Sequence, residues 1–541
     1  MGGHVVQEIL NRYDINVSKP VAVALLLGVL FTFYVILNEI SRYRARIKGF
    51  KGPMGYPIFG NIPQVLGDSA LKYLQWKPKY GDLFQVQLGN QPVLIVNSAA
   101  KAKEVFQTNS RCTNSRPMFH TFHTVVSSTQ GYTIGSSPMS ESLKRRRKLA
   151  AGAVNKPAVQ TYVPHIDLES KEFVRDALER GFGGAKPVDP LPLIRRTSLN
   201  LSLTLNWGTR LNSVDDPLFD EIIQNEEHVS GFRSTTSNWQ DYVPLLRLNP
   251  FDKSKAIATE TRQRRDRYLK LLNGELDEKL KKKTYKPCIQ ANVLTDPDIK
   301  LNQAEIMSLS ITMLNAGLDT VVSTMAWGVA LLATRPDIQK KAFDAIRQMY
   351  SEDEILCDPA DDQSCEYVMA FVKECLRFFT PLRLSLPRTV ETPFVLDGHK
   401  VPQGTWFFMN SWACNHDPEL YGDPENFRPE RFIENPSLNH HSYGLGTRMC
   451  LGNLLGNREL YLVFMRLISS FEILEGDEKI NADPLTAVED PAALGVMPHH
   501  YKVIFKPRNE KVLKQALANH VPLKTEAPQM ISYKNGQRVE A

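Results

Sequence analysis

Ser442-Tyr443-Gly444-Leu445-Gly446-Thr447-Arg448-Met449-Cys450-Leu451-Gly452 places one cysteine between glycines, with an arginine two residues before it. Gly444, Gly446 and Gly452 let the backbone turn tightly and approach a flat ligand that a Cβ would block. Beyond it, Leu454, Leu455, Tyr461, Leu462 and Met465 recur at the spacing of an amphipathic helix running to Leu467, so Cys450 falls near a helix start. Free backbone N–H groups and the positive end of the helix dipole face that position and favour a thiolate. A buried structural cysteine is the alternative reading.

A thiolate in an apolar, glycine-lined bay is what a haem iron takes as proximal ligand when the chemistry is O–O cleavage. The stretch resembles the haem-binding signature Phe-x-x-Gly-x-Arg-x-Cys-x-Gly of the cytochrome P-450 superfamily. Gly446, Arg448, Cys450 and Gly452 match, and Tyr443 stands where phenylalanine is usual, keeping the ring and adding a hydroxyl that needs a partner. The resemblance implies haem b (iron protoporphyrin IX) with Cys450 as the axial ligand to its iron. The fold it implies is mainly α with small β-sheets, a long central helix over the haem and the cysteine loop beneath.

The chain has 541 residues, 42% apolar and 23% charged, ordinary for a protein with a large core. A net charge of +6 is mild and its basic residues are clumped, which excludes a nucleic-acid binder. Seven scattered cysteines without a C-x-x-C pair point to a reducing compartment, not a disulfide framework. Cys414 and His416 are close, but no second pair with zinc-site spacing accompanies them.

Val21 to Leu37 is apolar and uncharged, and its length of roughly 26 Å as a helix just spans a bilayer. A cleaved signal peptide fits less well, because the run begins late, lacks an A-x-A site and is followed by Arg42, Arg44, Arg46, Lys48 and Lys51. The positive-inside rule then makes residues 1–20 a lumenal tail, residues 21–40 a single-pass signal anchor in endoplasmic reticulum lipid, and the remainder cytoplasmic. The sequon Asn16-Val17-Ser18 lies on the lumenal side, close to the membrane. Residues 41–63, basic and then rich in proline and glycine, read as a hinge, and resemble the proline-rich joint of microsomal members of the superfamily.

Residues 64–507 carry the remaining motifs. Phe84, Val86 and Leu88, then Gly89-Asn90, then Val93 and Ile95 predict a hairpin. Arg116 to Ser140 lacks a period and predicts a long functional loop, which in the superfamily covers the substrate. Leu143-Lys144-Arg145-Arg146-Arg147-Lys148 reads as a solvated helix face. Its spacing resembles the Trp-x-x-x-Arg helix of the superfamily, which implies Arg147 on a haem propionate; Leu143 replaces the tryptophan. The other cations are then expected to face outward and steer an acidic electron donor. Ser234 to Pro244 reads as a surface turn more readily than as a pocket wall.

Asn302 and Glu305 form a capping-box pattern opening a helix of about 32 residues to Thr334, ended by Pro336. Inside it, Ala316-Gly317-Leu318-Asp319-Thr320 combines a costly Asp with a mid-helix Gly. Either the Thr is back-bonded at a kink, or the helical ladder opens to leave room for dioxygen and water. The segment matches the superfamily's oxygen-activation motif, implying that Thr320 holds water at the distal oxygen and Asp319 connects it to solvent protons. Glu374 and Arg377 lie at i and i+3 on one helical face. With Phe427-Arg428-Pro429-Glu430-Arg431-Phe432 they resemble the Glu-x-x-Arg plus Pro-x-Arg-Phe triad, a structural lock in which Arg431 joins Glu374 and Arg377. Pro387-Arg388 resembles the strand whose arginine takes a haem propionate, with Leu384, Ser385 and Leu386 facing substrate. Residues 508–541 are a polar tail expected to be loosely held.

Over about residues 50–507 the motifs follow the superfamily's order, implying a haem-thiolate monooxygenase that takes O2 and receives NADPH electrons through NADPH–cytochrome P-450 reductase docking near Arg145 and Arg146. A haem-thiolate isomerase or dehydratase, or a non-catalytic haem protein, are the other classes; the intact Asp319-Thr320 pair speaks against both. Residues 142–165, 201–210 and 237–252 resemble the fungal subgroup of phenylacetate hydroxylases and m-cresol-type hydroxylases, implying a small monocyclic aromatic substrate of the m-cresol, benzyl alcohol or phenylacetate type, in secondary metabolism or aromatic catabolism. A carboxylate substrate requires a buried cation; Arg116 is a candidate, although an arginine beside a proline is more often a surface residue.

Overall fold

Residues 19–249, 251–519, 529–534 and 537–539 are described by the structure, a computed structural model. Residues 1–18, most of the segment expected to be a lumenal tail and including its sequon, lie outside them. Helix α1, Lys19–Ala45, carries the predicted anchor and is long and apolar enough to cross a membrane. It runs past residue 40, and its last turns pack on protein: Arg42 Nη1 donates to Glu39 Oε1 (2.5 Å) and the Tyr56 carbonyl (3.2 Å), while Ile58 N–H donates to the same Glu39 oxygen (2.8 Å).

The predicted hairpin forms from β1, Leu83–Leu88, and β2, Gln91–Val96, turning at Gly89-Asn90 with Leu88 opposite Gln91. Strand β1 is buried on both faces, not the single face its alternation predicts, because the segment expected to be a hinge lies over it. Gln85 N–H donates to the Lys51 carbonyl (2.7 Å), Asn61 N–H donates to the Gln87 carbonyl (2.6 Å), and Ile47 and Phe50 are buried. The stretch closes one turn on itself, where Tyr56 and Gly60 exchange backbone hydrogen bonds (2.8 Å each), and other backbone groups pair with the strand.

The basic run forms helix α2, Glu141–Ala153. Helix α3, Pro217–Gly231, leads into the segment read as a surface turn, which is buried: Thr235, Thr236, Tyr242 and Val243 pack beneath the hairpin, and Asn90 N–H bonds the Tyr242 carbonyl (2.8 Å). Helix α4, Gln303–Thr334, is the predicted central helix, with both hydrogen bonds of the Asn302–Glu305 capping box present. Apolar enough to cross a membrane, it is mostly buried in protein.

Helix α5, Glu366–Phe379, packs on α4, and Trp327 stacks on Phe379 with centroids 4.8 Å apart. Strands β3, Arg388–Thr389, and β4, Trp406–Met409, complete a sheet of order β1-β2-β4-β3, in which β2 and β4 are parallel. Helix α6, Asn453–Ser470, follows the cysteine loop; a Cβ at Gly328 of α4 would lie 2.4 Å from Phe464 Cζ, so the glycine lets the two helices approach. Helix α7, Glu510–Ala518, buries Leu513 and Leu517, so the tail begins as a docked element. Farther on, residues 529–531 pair in parallel with 209–211.

Candidate active site

The cysteine loop closes on itself where Cys450 N–H donates to the Tyr443 carbonyl (2.9 Å), just ahead of α6. The extra hydroxyl of Tyr443 finds a partner in Asn457 Oδ1 at 2.7 Å. Gly446 has a positive φ of 64°, and a Cβ there would sit 1.9 Å from the Phe106 carbonyl oxygen. Its need for glycine therefore comes from the protein backbone, and it does not line the cavity. Gly452 does line it, with nothing within 4 Å of a Cβ built there. Cys450 is exposed to the same cavity, about 320 Å³ in volume, between the loop and α4. Burial raises its thiol pKa, and the Gly452 N–H and Arg147 pull against that rise.

Four guanidiniums line this cavity near the loop. Arg147 Nη2 donates to the Thr447 carbonyl (2.9 Å), Arg388 Nη2 to the Leu445 carbonyl (2.5 Å), and Arg448 Nη2 to the carbonyls of Ile134, Gly135 and Ser137. Arg116, expected at the surface, is buried and donates to the carbonyls of Leu386 and Pro387. Among the described residues, no carboxylate pairs with any of the four. Buried nitrogens remain unbonded on Arg116 (Nε), Arg388 (Nη1) and Arg448 (Nε and Nη1). Burial, then mutual repulsion, lowers Arg448 to about 9 and Arg388 to about 10.

Arg146 departs from the outward placement expected of it, while Arg145 keeps it. Arg146 is buried, donating to the Tyr132 carbonyl (2.8 Å) and to Ser308, and Arg145 pairs with Glu305 at 2.6 Å. The face left to solvent is Lys144, Arg145 and Lys148. Helix amphipathy explains this: α2 packs on α4, so one side of even a basic run must be covered.

On the opposite wall, Asp319 and Thr320 line the cavity from α4. The helix stays α-helical through them, and Thr320 Oγ1 donates to the Ala316 carbonyl at 3.3 Å, so the back-bonded arrangement holds and not the opened ladder. Asp319 also borders a second cavity of about 490 Å³ with Glu226, Glu227, His499 and His500. Burial lifts its carboxyl to about 6 against the opposing pull of Arg233 and Ser230. Ser385 and Leu386 line the cavity; Leu384 turns into the core beneath the hairpin instead.

A family model, cytochrome P-450, matches residues 50–505. The chain belongs to the cytochrome P-450 family. It is 55% identical to the 3-hydroxyphenylacetate 6-hydroxylase of Emericella nidulans, over 90% of this chain and 94% of that one. It is 42% identical to the phenylacetate 2-hydroxylase of the same organism, over 87% and 93%. A solved zebrafish cytochrome P-450 superposes with a TM-score of 0.66 at 21% identity, covering 81% of this chain and all of that one, which supports the shared fold. Membership makes the chain a haem-dependent monooxygenase using O2, an organic substrate and a redox partner.

The P-450 triad lies outside the cavity and fully buried. Arg377 meets both Glu374 oxygens (2.7 and 2.8 Å), Arg431 Nε reaches Oε1 (3.2 Å), and Arg428 N–H donates to it (2.8 Å). Arg377 then donates to the Asn415 carbonyl (3.0 Å), and Asn415 binds Ser442 Oγ (3.0 Å) and His441 N–H (2.7 Å), tying the triad to the cysteine loop. Sequence reasoning overlooked Arg233, just past α3, whose guanidinium enters the cavity 3.8 Å from Asp319. Its only sequence signal is a cation following an amphipathic helix, which surface arginines share.

Proposed function

We propose that the chain hydroxylates the ring of a small aromatic acid of the arylacetate class: ArH + O2 + NADPH + H⁺ → ArOH + H2O + NADP⁺. The observation that carries this is one cavity holding Cys450, four guanidiniums without carboxylate partners and an acid–alcohol pair on the facing helix. A haem fits these residues: its iron takes a soft anionic ligand, and its two propionates supply the carboxylates that the arginines lack. In this reading Cys450 would hold the haem iron by its sulfur, and Arg116, Arg147, Arg388 and Arg448 would hold the propionates. With thiolate ligation, the bound haem supplies O–O cleavage.

The chain's own residues do the rest. Thr320 holds a hydroxyl at the oxygen side, where its hydrogen can turn from the Ala316 carbonyl toward a ligand. Asp319 gives and takes protons, its carboxyl lifted to about 6 and so partly protonated near neutral pH. The apolar wall, with Leu201, Leu205, Val321 and Leu386 among its residues, excludes water from an aromatic ring. The arylacetate class rests on the two relatives, whose names place hydroxylation at ring positions next to the acetate-bearing carbon.

Electrons come from an NADPH–cytochrome P-450 reductase, and Lys144, Arg145 and Lys148 are the cations offered to it, Arg146 being buried. Helix α1 anchors the enzyme once in the endoplasmic reticulum membrane. Purified holoenzyme with reductase is expected to consume NADPH faster on adding 3-hydroxyphenylacetate or phenylacetate and to release a ring-hydroxylated acid. An isomerase or a non-catalytic haem protein gives no substrate-stimulated NADPH use, and that result overturns the reading.

A further inference from the structure

Of the five arginines lining the cavity, four donate to backbone carbonyls of the cysteine loop, β3 or the loop covering them. Arg233 stands apart. Among the described residues its side chain makes no hydrogen bond to protein, its Nε is buried without a partner, and its side chain is 12% exposed. Its charge partner, Asp319, is 3.8 Å away, beyond hydrogen-bond distance. Farther off, Glu226 and Arg265 act on it with opposite signs. The Phe122 ring lies 5.9 Å from Cζ, and a Cβ built at Gly135 would have Leu386 Cδ1 at 3.5 Å and Arg233 Nη2 at 3.9 Å.

A guanidinium held this way keeps its charge at a desolvation cost that carboxylates beyond hydrogen-bond distance offset only in part. A planar fork of unmet donors in an apolar cavity suits a carboxylate taken bidentately. The haem propionates do not meet this need, because the guanidiniums fixed around the cysteine loop already exceed two carboxylates in number.

We propose that Arg233 receives the substrate's carboxylate and sets the preference of this cavity for aromatic acids over neutral aromatics. The inference rests on the arylacetate reading above. It gives the ring one fixed end, so that the carbon next to the acetate arm is held at a constant place in the cavity. Asp319 then yields its partner to the substrate on binding.

Optical binding titrations of the holoenzyme with 3-hydroxyphenylacetate and its neutral amide, 3-hydroxyphenylacetamide, test this. Wild type is expected to bind the acid at least tenfold tighter than the amide. In Arg233→Met the acid loses about 10- to 100-fold, the range for a hydrogen bond to a charged group, while the amide changes less than about threefold. Arg233→Lys recovers part of the loss. Equal losses for acid and amide, or an unchanged acid constant, overturn the proposal; equal losses would mean that Arg233 serves only to shape the cavity. If Arg233→Met does not load haem, the wild-type comparison still decides, since an acid bound no better than its amide also overturns it. Hydroxylation of the acid by wild type, measured alongside, separates the two claims: product without an Arg233 effect sinks this inference alone, and no product sinks the arylacetate reading with it.

Discussion

Two groups of buried arginines flank the cysteine loop, and the fold treats them oppositely. Around Glu374, Arg377 and Arg431 meet a carboxylate and five backbone carbonyls in all, with no nitrogen of either guanidinium left unbonded. Around Cys450, Arg116, Arg388 and Arg448 keep buried nitrogens without partners and crowd one another. A satisfied cluster is a structural lock, whereas an unsatisfied one is a binding site whose counter-charge comes from a ligand. The same residue type thus separates architecture from function by its partners alone.

The sharpest test of that distinction is Cys450→Ala. It is expected to abolish the thiolate-ligated carbon monoxide spectrum of the reduced enzyme while leaving the fold of the triad intact by circular dichroism. An unchanged spectrum would remove the cavity from consideration as the haem site.

Next come paired substitutions of opposite sign. Glu374→Gln removes the carboxylate shared by two buried guanidiniums and is expected to lower unfolding free energy by about 3–5 kcal/mol in denaturant melts. Arg448→Met removes an uncompensated buried cation, so the haem-free protein is expected to melt at the same or a higher temperature, while haem affinity falls about 10- to 100-fold by titration. If Arg448→Met destabilises the haem-free protein as much as Glu374→Gln does, the contrast between the clusters fails.

The smallest effect is a pH dependence. Asp319 is held at about 6, above the unfolded value near 3.9. Between these values the folded state binds more protons than the unfolded, so this group's contribution makes stability fall as pH rises from about 4 to about 6 and stay low above. Melts of Asp319→Asn are expected to gain on wild type across that window and run parallel to it beyond. A constant gap from pH 4 to 8 would place the carboxyl in an ordinary environment.

Local pattern carried much of this molecule. The central helix runs from its Asn302 cap to Thr334 as its spacing predicts, the hairpin turns at Gly89-Asn90, and Glu374, Arg377 and Arg431 meet as their motifs imply. What escaped was the burial of charge. Arg116 and Arg146 read as surface residues, and Arg233 drew no reading at all, because a single chain segment does not show which distant element will cover it. Asn302 and Glu305 act on backbone three residues away; Arg146 acts on Ser308, in a different helix. The mismatch at Ser234–Val243 has the same origin, since distant segments meet its polar residues, Ser234 donating to the Ala492 carbonyl and Asp241 accepting from Thr121 N–H, while Tyr242 packs under the hairpin.

The clasp at the foot of α1 has a practical consequence. Glu39 is bound at once to Arg42 and to the backbone of Ile58, so the catalytic body is fastened to the helix, not tethered by it. Trimming the chain to obtain a freely dissolved enzyme therefore has a natural cutting point upstream of Glu39. A cut after Pro63 would strip the cover from β1 and lay bare a strand edge that pairs readily with its neighbours.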